Sequence, residues 1–160
     1  MTKNKDDQYF IDQAIKLARE RSDSGENGPF GAVIVRNGEI ISRGWNTVVS
    51  SHDPTAHAEI NAIRKAADKL GNNDLQGCTI YSSCEPCPMC FSAILWARLD
   101  RVVYSSTRQD AAQAGFDDQV ILEEIKKDWK QRYIKSRKIE SKEADQVFQN
   151  WIDNPDKKTY

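Results

Sequence analysis

Two short segments carry residues whose types and spacing suit metal chemistry: His57-Ala58-Glu59 and, thirty residues further on, Pro86-Cys87-Pro88-Met89-Cys90. One imidazole and two thiolates give a zinc ion three protein ligands, and a tetrahedral ion so held keeps its fourth position for water, which is what separates a catalytic zinc from a closed structural one. Two thiolates also balance the charge of Zn²⁺. Glu59 stands two residues after His57, where its carboxylate can lean over such a metal without binding it and take a proton from water. The chemistry this serves is hydrolytic. Exchange of an aromatic C–NH₂ for C=O requires hydroxide attack on the ring carbon, protonation of the adjacent ring nitrogen and protonation of the departing amine, and one carboxylate can perform these transfers in turn. His57, Cys87 and Cys90 are therefore the candidate zinc ligands and Glu59 the candidate catalytic residue. A structural alternative stays open: Cys84 lies three residues before Cys87, so Cys84, Cys87, Cys90 and His57 together would close a Cys₃His site. One turn of helix does not easily aim three sulfurs at one ion, and Glu59 would then have no task.

These groups must be brought together by the elements around them. Apolar residues at helical spacing predict an opening amphipathic helix from about Asp7 to Arg21. Pro29 to Arg36 and Glu39 to Trp45 are rich in β-branched residues and joined by Asn37-Gly38, which predicts a β-hairpin. A second helix is expected over Thr55 to Leu70, with Asp53 or Thr55 as N-cap and Gly71 at its end. Cys78 to Ser83 reads as a strand, Pro88 to Ala97 as a short apolar helix and Arg101 to Ser106 as another strand. Further on, 118 to 127 reads as helical, 132 to 139 as extended and 143 to 152 as a last helix. A hairpin followed by alternating helices and strands implies an α/β fold, a mixed sheet covered by helices on both faces, because parallel neighbours need crossovers that cover the sheet. In such a unit the beginnings of the second and third helices meet at one sheet edge, where their N-terminal N–H groups favour thiolates.

The 160 residues fit one domain with a core that needs no disulfides, and the net charge of −1 gives no electrostatic reason to expect nucleic acid or an anionic membrane as partner. No apolar leader or span is present in the sequence, so a cytoplasmic location and a small-molecule substrate are expected. Three cysteines within seven residues fit metal chemistry in a reducing compartment, and Cys78 reads as a small core residue. Lys126 to Lys138 holds seven basic residues with Trp129 and Tyr133 among them. It raises the rival reading of an RNA-binding module with structural zinc, but acidic neighbours on both sides favour a solvated face. Glu85 reads as a helix-capping acid and His52 as a solvated loop histidine.

The H-x-E…P-C-x-x-C arrangement is the signature of zinc nucleobase deaminases. With the blocks PFGAVIV (Pro29 to Val35), DPTAHAEINAIR (Asp53 to Arg64), SCEPCPMCFSAILWA (Ser83 to Ala97), AGFDD (Ala114 to Asp118) and a tail ending in Tyr160, the chain resembles the cytidine-deaminase-like superfamily. Within it the short bacterial guanine deaminases are most similar. The first three blocks are shared with tRNA adenosine deaminases. The resemblance implies a three-layer α/β/α sandwich, one zinc ion per subunit, and hydrolysis of guanine to xanthine and ammonia. Deamination of a nucleoside, of cytosine or of adenosine in tRNA are the alternatives. It further implies a homodimer in which the segment from about residue 140 to 160 is exchanged and Tyr160 reaches the partner's base. On the same ground Asn46 would hydrogen-bond the purine, Phe30 and Trp96 would line or stack on it, Ala58 would contact it, and Asp118, with Asp117 beside it, would bind it or relay protons. The segments ERSDSGENG before Pro29 and Asp128 to Asn150 depart from the family pattern, at the expected rim of the pocket.

Overall fold

Asn37 and Gly38 both take positive φ, 52° and 75°, the conformation that a two-residue hairpin turn requires. They join β1 (Gly31–Arg36) to β2 (Glu39–Trp45), as the sequence predicts. This computed structural model describes residues 6–116 and 118–160. With β3 (Cys78–Cys84) and β4 (Arg101–Ser106) the hairpin forms a four-stranded sheet of order β2-β1-β3-β4. β1 runs antiparallel to β2 and β3, whereas β3 and β4 are parallel, so the sheet is mixed. The parallel pair needs a crossover, and α4 (Pro88–Trp96) supplies it.

The period of two along β1 divides the core between the two faces of the sheet. Val33 and Val35 pack with Tyr81 of β3 and with Phe10, Ile11 and Leu17 of α1 (Asp7–Ser22). Ala32 and Ile34 pack on the other face with Ile80, with Ala58, Ala62 and Ala66 of α3 (Ala58–Leu70), and with Ile94 of α4. The result is the expected α/β/α sandwich. Alanines along α3 let its backbone approach the sheet, and Gly44 completes the approach. A Cβ on Gly44 would lie 2.1 Å from the Ala58 carbonyl oxygen and 2.5 Å from Ala62 N, so any side chain there would lift the first turns of α3 off β2. Since that first turn carries the metal-chemistry residues, this close contact is part of how the site is positioned.

Two short helices were not foreseen, α2 (Val48–Ser51) and α5 (Arg108–Gln113). Neither is long enough to display an apolar period. α5 is held by a capping box: Thr107 Oγ1 accepts from Asp110 N at 3.3 Å, and the Asp110 carboxylate accepts from Thr107 N at 2.7 Å. α3 starts later than expected. The Asp53 carboxylate is spent on the preceding turn, accepting from Thr55 N at 2.8 Å and Thr55 Oγ1 at 2.6 Å, and the N-cap position falls to His57.

By backbone packing the chain divides into two compact units, Met1–Ile121 and Leu122–Tyr160. The first contains the sheet and α1 to α5. Helices α6 (Asp118–Lys126) and α7 (Lys142–Asp153) match the two expected late in the chain, the second capped by Ser141, whose Oγ accepts from Ala144 N at 3.3 Å. The extended segment expected at 132–139 forms no strand. There Tyr133 N donates to Glu124 Oε2 at 2.8 Å rather than into a ladder, and the Arg132 guanidinium reaches back to the carbonyls of Lys127 and Ile125, both at 3.1 Å. Among the described residues no helix is long and apolar enough to cross a membrane.

Candidate active site

His57 ends an extended stretch (φ −70°, ψ 161°) and occupies the N-cap of α3 without making a side-chain cap bond, which leaves its imidazole available. Asn61, one turn into the helix, fastens the incoming chain: its Nδ2 donates to the carbonyls of Trp45 (2.9 Å) and Ala56 (3.3 Å) and to Thr47 Oγ1 (3.0 Å). Cys87 occupies the N-cap of α4, with Pro88 at the first helical position, where a missing N–H costs nothing. Its Sγ accepts from Cys90 N at 3.4 Å. Two helix N-termini therefore face one another and bring His57, Cys87 and Cys90 together.

His57 Nδ1 lies 3.6 Å from Cys87 Sγ and 3.5 Å from Cys90 Sγ, and all three ligand atoms fall within 4.8 Å of one another. A tetrahedral zinc ion with a nitrogen at about 2.0 Å and sulfurs at about 2.3 Å needs ligand atoms about 3.5 to 3.8 Å apart. The two nitrogen–sulfur distances match that ion. Cys84 does not join it; its Sγ donates to the Thr107 carbonyl at 3.5 Å, and burial pushes its thiol up to about 11. Among the described residues the set of clustered ligands is His57, Cys87 and Cys90.

The protonation of the three ligands follows from their mutual contacts. A hydrogen bond from the Cys90 thiol, helped by His57, brings Cys87 down to about 4. The same bond to the Cys87 thiolate, with burial added, pushes Cys90 far up. His57 is raised by its contact with Cys87, against the opposing effect of burial. Glu59 follows His57 into the first turn of α3, buried, and accepts from Ser82 Oγ of β3 at 2.8 Å. Burial is the main reason its carboxyl stands above the ordinary range, so it is a base of more than usual strength once ionised.

A cavity of about 190 Å³ opens beside these groups, lined by His57, Glu59, Cys84 and Cys87 on the metal side. Phe30 and Phe116 form an aromatic wall, their rings edge to face with centroids 4.8 Å apart. Gly28 lines the cavity next to them, and a Cβ there would lie 3.0 Å from the Phe30 ring and 3.3 Å from that of Phe116. Val48 and Val49 of α2 line the cavity as well, and Asn27 fastens α2, its Oδ1 accepting from Ser50 N at 3.3 Å. Asn46 lines it and is buried; its Oδ1 accepts from Val48 N at 3.1 Å, leaving its amide nitrogen without an acceptor among the described residues. Asp118, the first residue of α6, lines it too.

The structure thus assembles His57, Glu59, Cys87, Phe30, Asn46 and Asp118 around one cavity, with Cys90 at the metal cluster. Other expected contacts lie elsewhere. The side chain of Ala58 is fully buried in the sheet-to-helix core rather than in the cavity lining, because the position after the N-cap faces β2. Trp96 sits at the end of α4, 61% exposed and outside the lining. Tyr160 is 76% exposed and belongs to the second unit, and Asp117 lies outside the described residues. Glu85 does serve a helix start, but that of α5 instead of α4: its Oε2 accepts from Arg108 N at 3.1 Å. His52 is an exposed residue with φ of 52° that ends α2. Ser82, Val48, Val49 and Phe116 went unrecognised in the sequence. Phe116 stands within AGFDD, of whose residues the resemblance gives a role to the two acids alone.

Residues 4–106 match the cytidine and deoxycytidylate deaminase zinc-binding region. The chain is 49% identical over 151 residues to the guanine deaminase of Bacillus subtilis (strain 168), a match that spans 94% of this chain and 97% of that protein. The X-ray structure of guanine deaminase from Bacillus subtilis superposes with a TM-score of 0.93 at 48% identity, covering 96% of this chain and 98% of that one. A tRNA-specific adenosine deaminase of Aquifex aeolicus (strain VF5) is 42% identical over 99 residues, 62% of this chain and 65% of that protein. Most of the chain up to the end of β4 is accounted for by that zinc-binding region, and His57, Cys87 and Cys90 all lie within it. The chain belongs to the zinc-binding cytidine and deoxycytidylate deaminase family, with His57, Cys87 and Cys90 positioned to bind the metal ion.

Proposed function

We propose that this protein hydrolyses guanine to xanthine and ammonia. The observation that carries the reading is the juxtaposition of a three-ligand metal site, a buried glutamate and a narrow aromatic-walled cavity within a chain that aligns from end to end with a guanine deaminase. Zinc supplies Lewis acidity that lets water act as a nucleophile near neutral pH. Glu59 accepts the proton of that water, returns it to the ring nitrogen beside the attacked carbon, and carries the second proton to the leaving amine. Its Ser82 hydrogen bond fixes the carboxylate while it does so. The slot beside Phe30 and Phe116 suits a planar bicycle, the Asn46 amide nitrogen donates to the base, and Asp118 accepts from its N–H groups.

We further propose a homodimer working in the cytosol. The four cysteines are free, as thiolate metal sites require. Apolar side chains stand exposed on α4 (Phe91, Leu95, Trp96) and on α7 (Val147, Phe148, Trp151), more than a lone soluble chain usually presents on single helices. A second copy covers them, its tail exchanged so that Tyr160 of one subunit closes the cavity of the other. The basic stretch offers little to RNA: Lys126, Lys127 and Lys138 are paired with Glu123, Glu124 and Glu140, and Arg132 stacks over Trp129 at 4.0 Å.

The experiment is ammonia release by the zinc-loaded protein from guanine, guanosine, adenine, cytosine and an adenosine-containing tRNA hairpin, with Glu59→Gln alongside. Turnover of guanine, lost by at least about 10³-fold in Glu59→Gln at unchanged zinc content, is the expected result. Turnover confined to the hairpin or a nucleoside would keep the chemistry and replace the substrate.

A further inference from the structure

The connection from β3 into α4 and the connection from β4 into α5 run side by side, and four hydrogen bonds lace them together. Cys84 Sγ donates to Thr107 O at 3.5 Å, Glu85 N to Ser106 O at 2.8 Å, Arg108 N to Glu85 Oε2 at 3.1 Å and Arg108 Nη2 to Glu85 Oε1 at 2.8 Å. The Glu85–Arg108 ion pair is largely shielded, with side-chain exposures of 29% and 22%. One carboxylate therefore holds both the backbone start of α5 and its first side chain. That helix is six residues long and buries only Ala111, so it has little apolar anchorage of its own.

What α5 delivers is a wall of the cavity. Beyond its last turn Phe116 N donates back to Ala111 O at 3.0 Å, which folds the chain over the helix and sets the Phe116 ring against Phe30. Asp118 enters the lining two residues later. A displacement of α5 therefore moves both Phe116 and Asp118 relative to the loop that carries Cys87.

The ion pair is not built for stability alone. Arg108 Nε is buried and has no acceptor among the described residues, a cost that an apolar side chain of similar size would avoid. Shielded ion pairs can often be replaced by apolar residues without loss of stability. We infer that Glu85 and Arg108 are positioning residues that fix α5, and through it Phe116 and Asp118, against the metal loop, thereby setting affinity for the base rather than the rate of the chemical step. This inference rests on the cavity being the purine site proposed above.

The test compares zinc-loaded parent, Arg108→Met, Arg108→Lys and Glu85→Gln. The measurements are kcat and KM for guanine, Kd for xanthine, zinc content, Tm, and amide hydrogen exchange across residues 108–116. In Arg108→Met and Glu85→Gln, KM and the xanthine Kd should rise together by about tenfold while kcat stays within about twofold and zinc is retained. Arg108→Lys should recover only part, since an ammonium lacks the planar fork. Exchange in 108–116 should quicken in the variants, a readout that needs no substrate. Lower Tm with KM, Kd and local exchange unchanged would mean a purely structural pair and overturn the inference, as would a fall confined to kcat. Absence of guanine turnover by the parent would instead sink the proposed function, and the exchange data would still decide whether the clamp exists.

Discussion

Cys87 and Cys90 hold one proton between them before any metal arrives. Cys87 is a thiolate at neutral pH, at about 4, because the Cys90 thiol donates to it and His57 lies beside it; Cys90 keeps its proton because the same bond and burial hold it there. A divalent cation binds both sulfurs as thiolates, so the Cys90 proton must leave, together with whatever fraction of a proton the raised His57 carries. Stripping zinc with a chelator and titrating it back at pH 7 should therefore release more than one proton per site and fewer than about two, read by calorimetry in buffers of different ionisation enthalpy. In Cys90→Ser the release should drop to the His57 fraction. A full two protons from Cys90 and Cys87 together would show that Cys87 is not pre-ionised. At this scale the sequence was informative where chemistry is local: His57, Glu59, Cys87 and Cys90 declare themselves by type and spacing. Ser82 does not, because its bond to Glu59 spans 23 residues and depends on which face of β3 it occupies. Phe116 is hidden for the same reason, and Glu85, legible as a capping acid, caps a helix that only the β4–α5 connection brings to it.

Elements were legible in proportion to their length. The hairpin, α1, α3 and α4 each carry enough apolar repeats, or a turn dipeptide of sufficient specificity, to be read directly, whereas four-residue α2 and six-residue α5 carry no period at all. The segment 132–139, read as extended, joins no ladder, and Tyr133 N donates instead to the Glu124 carboxylate. Between elements, Asp7 in the first turn of α1 accepts from Tyr81 OH of β3 at 2.7 Å and from the guanidinium of Arg101 of β4, tying the helix to two strands. The Arg101 hydrogen bonds hold the Asp7 carboxyl below its ordinary 3.8. A depressed carboxyl contributes stability above its unfolded pKa and loses it as pH falls through the folded value. Tyr81, raised to about 12 by burial first and Asp7 second, has the opposite sign: its contribution is present below about 10 and lost as pH climbs through 12. Asp7→Asn should therefore flatten the acid limb of the Tm–pH curve below about pH 4, lower Tm near neutrality by only about 2 °C because the pair is solvent-exposed, and bring the Tyr81 phenolate titration part of the way down. An acid limb unchanged in the variant would assign it to other carboxylates.

At the scale of the whole molecule, the sheet and its helices account for a buried core, while the C-terminal unit presents apolar side chains to solvent. Along α7, Val147, Phe148, Trp151 and Ile152 recur at steps that share one face, and their exposures run from 47% to 73%. An amphipathic helix of twelve residues has little stability of its own in water and normally owes its persistence to a surface that covers this face. Under the proposed exchange that surface belongs to a second copy, and a swap of identical segments gives a two-fold assembly with both faces closed. The reading separates into two measurable parts. Phe148→Ser with Trp151→Ser removes the apolar face and should convert a dimer into a monomer by sedimentation equilibrium, with guanine turnover lost because no tail reaches a cavity. Removal of Lys157 to Tyr160 leaves α7 whole, so the dimer should persist with zinc bound while KM for guanine rises by about tenfold or more, the contact of Tyr160 being gone. If the double variant stays dimeric, α7 is not the exchanged element and α4 must carry the interface. If the truncated chain keeps full activity, the cavity closes without Tyr160, and its cover has to be sought in α2 and its valines.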